Sequence, residues 1–166
     1  QGVSSAASDV YKRQAVHRDG LPHKLIANII PQVEEEINNI LAQLVDFSVV
    51  LHADDKNINA YIAYDENNFW PLELTSGMEK FVASLAIRTS LINVSTLPRP
   101  NFMAIDEGFG ALDQTNLSSM VMLFDYLKTQ FKFIMIISHI DSMRDVVDHH
   151  IEINKVDGRS KIEQAA

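Results

Sequence analysis

Apolar residues recur at helical spacing early in the chain, and residues 21–45 predict helix in two pieces. Pro31 suits the first turn of the second piece, where a missing N–H costs nothing. Val33, Ile37, Ile40, Leu41 and Leu44 then share one face, and Glu34, Glu35 and Glu36 lie near the positive N-terminal end. The period changes at FSVVLHA (47–53) and INAYIAYD (58–65), two β-rich runs around a turn-like DDKN, which predict an antiparallel hairpin. ENNFWP reads as a loop. Residues 76–94 predict a helix, ended by the two prolines of TLPRPN (96–101). FMAID (102–106) and FKFIMIIS (131–138) are short continuous apolar runs, the pattern of buried strands, with an amphipathic helix predicted over 114–130. Residues 141–148 predict a short helix, and HHIEINK and RSKIEQ flank Asp157-Gly158, a hairpin signal. Buried strand, helix, buried strand is an α/β pattern with a parallel sheet core, and no internal repeat accompanies it.

The first 14 residues, QGVSSAASDVYKRQ, break with this patterning. They are small, polar and aperiodic, and read as translated adapter sequence at the end of a gene fragment or as a disordered natural terminus. They are set aside from fold reasoning, and the first reading implies a chain truncated at its N-terminus. The 166 residues suit one domain or a large part of one, and a hydrophobic fraction of 46% is enough for a core. The absence of cysteine excludes disulfides and thiolate metal sites. Neither a signal-peptide pattern nor a long apolar span is present, so a soluble cytoplasmic protein is expected. Fourteen basic and 22 acidic residues give a net charge of -8. Nucleic-acid binders carry a basic patch, so any DNA contact is expected mainly outside this chain.

The stretch richest in chemistry is FMAIDEGFGALD, residues 102–113. An apolar strand running into Asp106 and Glu107 places charge where it costs stability unless something offsets it. The C-terminal edge of a parallel sheet is where ligands sit. There, the first acid suits Mg²⁺ and the second suits orienting or deprotonating a water. An acid pair capping a strand-to-helix turn is the simpler account. FIMIIS ends at His139, whose imidazole suits a phosphate oxygen at the same edge, or serves as an ordinary structural histidine. Asp113 suits a helix cap before residue 114. Upstream, Ser76 and Gly77 open the helix at 76–94, an arrangement that caps the helix or receives a phosphate on its free N–H groups.

Taken together, these stretches resemble the motifs of ABC-type ATPases. Ser76-Gly77-Met78-Glu79-Lys80 resembles the signature motif, AIDEGFGALD resembles Walker B followed by the D-loop, and ISH with His139 resembles the switch histidine. Their order and spacing match, and EKFVASLAIR with DEGFGALD is most similar to the C-terminal ATPase lobe of SMC/SbcC-type DNA-repair ATPases, phage recombination-nuclease subunits included. The likeness covers roughly residues 21–156. One departure is Met78, where the signature motif usually has a second glycine.

The resemblance implies an α/β fold: the C-terminal lobe of an ABC-ATPase head, with a parallel-sheet core, flanking helices and an antiparallel hairpin. It implies a helical lead-in over 15–46, as a coiled-coil root, and the lobe itself over 47–166. It implies ATP and Mg²⁺ as cofactors, Asp106 on the metal, and Glu107 and His139 as catalytic residues. Ser76, Gly77, Glu79 and Lys80 would serve a nucleotide held by the opposite head, and Ala111, Leu112 and Asp113 would form the D-loop at the dimer contact. No Gly-Lys dipeptide, and therefore no P-loop, occurs in the chain. An N-terminal P-loop lobe of the same protein is the implied partner, with a second copy of the head, an SbcD-like nuclease and DNA, and no membrane. A cytoplasmic, nucleoid-associated location follows. The implied function is ATP-driven head pairing that controls double-strand-break repair or recombination. An SMC-type DNA tether without a nuclease is the alternative, and a transporter nucleotide-binding domain a more distant one. Asp148-His149-His150 suggests a metal site but fits strand-start polarity, since neighbours on a strand face opposite ways. Phe69-Trp70 suggests either a base-stacking platform or a loop anchor.

Overall fold

The structure is a computed structural model that describes residues 21–54, 57–107 and 117–164. It divides into two units, 1–99 and 100–166.

In the first unit, helix α1 (Leu21–Leu41) runs unbroken through Pro31, in contrast to the two pieces expected. An internal proline loses a backbone hydrogen bond and costs about 3 kcal/mol. Ile30, Val33, Ile37, Ile40 and Leu41 are all buried, and each fully buried aliphatic side chain contributes about 1.5–3 kcal/mol. The packed face therefore outweighs the local penalty, and Pro31 itself sits on the exposed side.

Strands β1 (Ser48–Ala53) and β2 (Ile58–Asp65) form the expected antiparallel hairpin, with Val49 opposite Ile62, both buried. The segment read as a loop contains a third strand, β3 (Asn68–Pro71), paired with β2. Asp65 builds the turn into it, accepting from the Asn67 N–H at 2.8 Å and from Asn68 Nδ2 at 2.9 Å. Proline is tolerated here because β3 is an edge strand. The β2–β3 register shifts between Ala63 and Asp65, leaving Tyr64 at a bulge.

The free edge of β1 is closed by side chains of α1. Asn38 Nδ2 donates to the Val49 carbonyl at 2.9 Å and its Oδ1 accepts from the Val49 N–H at 2.8 Å. One turn earlier, Glu34 Oε2 accepts from the Leu51 N–H at 2.6 Å. Two side chains at i, i+4 thus occupy the place of a neighbouring strand and block edge pairing. Asn38→Ala orphans both backbone groups of Val49, and a partly buried orphan costs about 1–3 kcal/mol. A stability loss of about 2 kcal/mol is expected, read as a lower urea midpoint at unchanged slope; an unmoved midpoint would refute the role.

Helix α2 (Gly77–Val94) packs on α1 and buries Val82, Ala83, Leu85 and Ala86. Its buried Thr89 and Ser90 donate to the carbonyls of Leu85 and Ile87, each at 2.9 Å.

In the second unit, β4 (Phe102–Asp106), α3 (Leu117–Gln130) and β5 (Phe133–Ile137) form a parallel strand–helix–strand unit. Phe102 pairs with Phe133 and Asp106 with Ile137. α3 packs on the sheet through its buried Met120, Leu123, Phe124 and Leu127, with Ile105 buried on β4. The expectation of buried strands holds for one face only. Phe102, Ala104, Phe133, Met135 and Ile137 line the other face and are exposed, the two phenyl rings stacked with centroids 5.6 Å apart. A continuous apolar run carries residues for two covers, and one helix provides one.

Residues Asp141–Val146 form a 3-10 turn within the predicted short helix, and Arg144 bridges Asp141 at 3.4 Å and Glu152 at 3.0 Å. The predicted final hairpin is β6 (Ile151–Val156) with β7 (Arg159–Gln164). Asp157 (φ 52°) and Gly158 (φ 76°) make its turn, both left-handed as a two-residue hairpin loop requires.

Candidate functional site

The parallel pairing of β4 and β5 sets two strand ends side by side. Asp106 closes β4, with its side chain exposed, and Ser138 and His139 follow β5. Glu107 extends the ladder by one step, its N–H donating to the Ile137 carbonyl at 2.9 Å. Its φ is 57°, a left-handed conformation uncommon outside glycine. Such strain costs on the order of 1–3 kcal/mol and persists where surrounding contacts enforce it. The turn brings Glu107 Oε1 within 3.5 Å of His139 Nδ1, and both side chains stay largely open to solvent, at 67% and 75%. The pair is an ion pair when the imidazole is protonated. Ser138 Oγ accepts from the Ile140 N–H at 3.2 Å and fixes the turn carrying His139. Ala111, Leu112 and Asp113 lie outside the described residues.

The first unit carries the other predicted group. Ser76 is the N-cap of α2, in a capping box with Glu79. Its Oγ accepts from the Glu79 N–H at 3.3 Å, and its own N–H donates to Glu79 Oε2 at 2.8 Å. The N–H groups of Gly77 and Met78 open the first turn, where helix geometry supplies no partner. Ser76 and Gly77 are exposed, whereas the Met78 side chain is buried. The departure from a second glycine therefore points inward and leaves the outer surface of the turn clear. Lys80 is half-buried. Glu79 Oε1 accepts from the Tyr64 hydroxyl at 2.6 Å. Partial burial raises the Glu79 carboxyl, but the hydrogen bonds from Tyr64 and Ser76 outweigh it and hold the group below its ordinary pKa. The same bond to Glu79 pushes the Tyr64 phenol up.

The chain is 33% identical over 165 residues to an uncharacterized protein of Acanthamoeba polyphaga mimivirus, covering 90% of this chain and 12% of that protein. It is 35% identical over 92 residues to the SbcC component of the SbcCD nuclease of Lactococcus lactis, covering 52% of this chain and 9% of that one. It is 26% identical over 139 residues to the DNA double-strand break repair Rad50 ATPase of Methanopyrus kandleri, covering 82% of this chain and 16% of that one. The chain thus spans a small part of the relatives it matches. Among solved structures, a chain from work on ATP-driven dimerization and DNA-stimulated activation of SMC ATPases superposes with a TM-score of 0.69 at 18% identity, covering 87% of this chain and 89% of that one. The SMC head domain from Thermotoga maritima superposes with a TM-score of 0.57 at 23% identity, covering 87% and 51%. The chain is a C-terminal lobe of the SMC/SbcC type. No family model matches it.

As an SMC/SbcC-type lobe it has the mixed α/β fold of that family's heads, with the parallel pair β4–β5 and antiparallel hairpins. Among the described residues, no helix is long and apolar enough to cross a membrane. None of their His, Asp and Glu side chains form a group of three or more suited to hold a metal. Asp148 instead pairs with Lys128 at 3.1 Å. Phe69 and Trp70 stand half-exposed on β3. Sequence reasoning missed Tyr64, because a bulge that re-aims a side chain leaves no trace in the alternation of a single strand.

Proposed function

We propose that this lobe is the C-terminal half of an ATP-hydrolysing head that pairs with a second head on binding ATP and separates on hydrolysis. The observation that carries this reading is the meeting of Asp106, Glu107 and His139 at the ends of two adjacent parallel strands, with Glu107 in a strained turn against His139. In this reading Asp106 serves Mg²⁺, Glu107 positions the attacking water, and His139 stabilises charge developing on the transferred phosphoryl oxygens. Mg²⁺ fits the donors present, since it takes one or two carboxylates and completes its shell with phosphate and water oxygens. Ser76, Gly77 and the first turn of α2, with Glu79 and Lys80 behind them, serve the γ-phosphate of a nucleotide bound by the opposite head, and Ala111, Leu112 and Asp113 line the contact between heads.

A P-loop lobe of the same protein completes the nucleotide site, and the exposed apolar face of β4–β5 suits such a cover. Leu25, Ile26 and Ile29, between 41% and 57% exposed, continue the stripe that α1 buries further along, as a coiled-coil root would. Relatives named as nuclease components favour an SbcD-like partner and a role in DNA break repair or recombination over a tether without a nuclease.

With no P-loop lysine or phosphate cradle in the chain, the purified 166-residue protein is expected to bind ATP weakly. Phosphate release in ATP and Mg²⁺ should stay at background. Robust turnover from this chain alone would overturn the split-head reading.

A further inference from the structure

We propose that Tyr64 is a positioning residue of the signature site, holding Glu79 so that Glu79 in turn fixes Ser76 toward the partner head's nucleotide. The inference rests on the reading that Ser76 acts in trans, and adds to it a residue from outside the signature stretch.

The geometry is a relay of three hydrogen bonds. Tyr64 donates to one oxygen of the Glu79 carboxylate at 2.6 Å, and the other oxygen accepts from the Ser76 N–H at 2.8 Å. The Glu79 N–H donates back to Ser76 Oγ at 3.3 Å. The first is the shortest, in the range of hydroxyl donors to an ionised carboxylate. The backbone is arranged to make it. Tyr64 stands where β2 slips register against β3, and a bulge turns one side chain out of its regular direction. Its ring meets the edge of Phe47 at a centroid distance of 6.4 Å and an interplanar angle of 68°, which orients the phenol.

The chemistry gives this anchor a purpose. A glutamate in the first turn of a helix stabilises that helix, but it also puts an anion where the incoming γ-phosphate is to bind. With both oxygens engaged, the carboxylate is held on the sheet side and its charge is shared with two donors. With Tyr64 lacking its hydroxyl, Glu79 keeps only its bond from the Ser76 N–H, and its other oxygen is released toward the helix mouth. Two consequences follow: the Ser76 backbone N–H is held less firmly at the cap, and the phosphate meets a mobile negative charge. Neither affects nucleotide bound by the same head.

The test uses the full-length protein and follows ATP-dependent pairing by light scattering beside nucleotide affinity of the unpaired head. Tyr64→Phe removes one oxygen and keeps the ring, the bulge and the Phe47 contact. It is expected to raise the ATP concentration for half-maximal pairing roughly tenfold, the scale of one hydrogen bond to a charged group. Affinity of the unpaired head should not change, whereas simple destabilisation would lower both together. The pair Tyr64→Phe with Glu79→Gln should do no more than the worse single change, as members of one relay behave. Wild-type pairing in Tyr64→Phe, with pairing lost in Ser76→Ala, would overturn the proposal and leave the trans reading standing. Full additivity of the two changes would also overturn it. Wild-type pairing in Ser76→Ala would sink the trans reading and the proposal with it.

Discussion

Glu107→Gln in the full-length protein is expected to lower ATP turnover by about 10²–10⁴-fold, the range attributed to a positioned acid–base group. The substitution keeps length and shape. Glutamine accepts a left-handed backbone no less readily than glutamate, so the bond from the residue 107 N–H to the Ile137 carbonyl survives. What disappears is the carboxylate's basicity, and with it the carboxylate contact to His139 at 3.5 Å. Binding of ATP and Mg²⁺ should persist, because the proposed function assigns those contacts to Asp106 and the P-loop lobe. In the proposed cycle binding closes the heads and only hydrolysis reopens them, so the paired ATP-bound form should accumulate. Phosphate release and gel filtration report the two effects separately. Near-normal turnover would remove Glu107 from the chemistry. Lost turnover without a trapped dimer would assign it to the fold or the metal, as a capping acid in a strand-to-helix turn.

The placement of these side chains was legible in the sequence because charge at the end of an apolar run has few structural uses. Asp106 and Glu107 follow FMAI directly, and His139 follows FIMIIS, so placing both strands in one parallel sheet brings their ends together. The cap at Ser76 was legible for a similar reason: a serine three residues before a glutamate, ahead of helix formers, satisfies the same orphan donors in any fold. Other features depend on partners that are remote in sequence. Pro31 ends a helix by local rules, and α1 continues because burial of Ile30, Val33 and Ile37 outweighs them. β3 has four residues, all exposed, so it has no alternation to detect. The capping of the β1 edge by Glu34 and Asn38 follows from helix-to-strand placement. The half-exposure of β4 and β5 was hidden for another reason. An apolar run records that a cover exists, and is silent on which chain segment supplies it.

Ser76→Arg should abolish ATP-driven pairing while leaving nucleotide binding by the unpaired head nearly intact. Three effects act together. The hydroxyl is lost, and one hydrogen bond to a charged phosphate is worth about 1.5–3 kcal/mol, or tenfold to a hundredfold in the pairing equilibrium. A long side chain occupies the exposed mouth of α2, where Ser76 and Gly77 leave the surface open. The capping box is broken as well, which costs about 1 kcal/mol of helix stability. The lost hydroxyl and the broken cap are common to Ser76→Ala, which adds no bulk, so the alanine variant should weaken pairing less and melt at a similar temperature to the arginine variant. Light scattering across an ATP titration measures pairing, and equilibrium nucleotide binding to the monomeric head measures the rest. A large affinity loss in the monomer with pairing unchanged would place Ser76 beside its own head's nucleotide. Equal loss of pairing in both variants, tracking the fall in melting temperature, would reduce the serine to a helix cap.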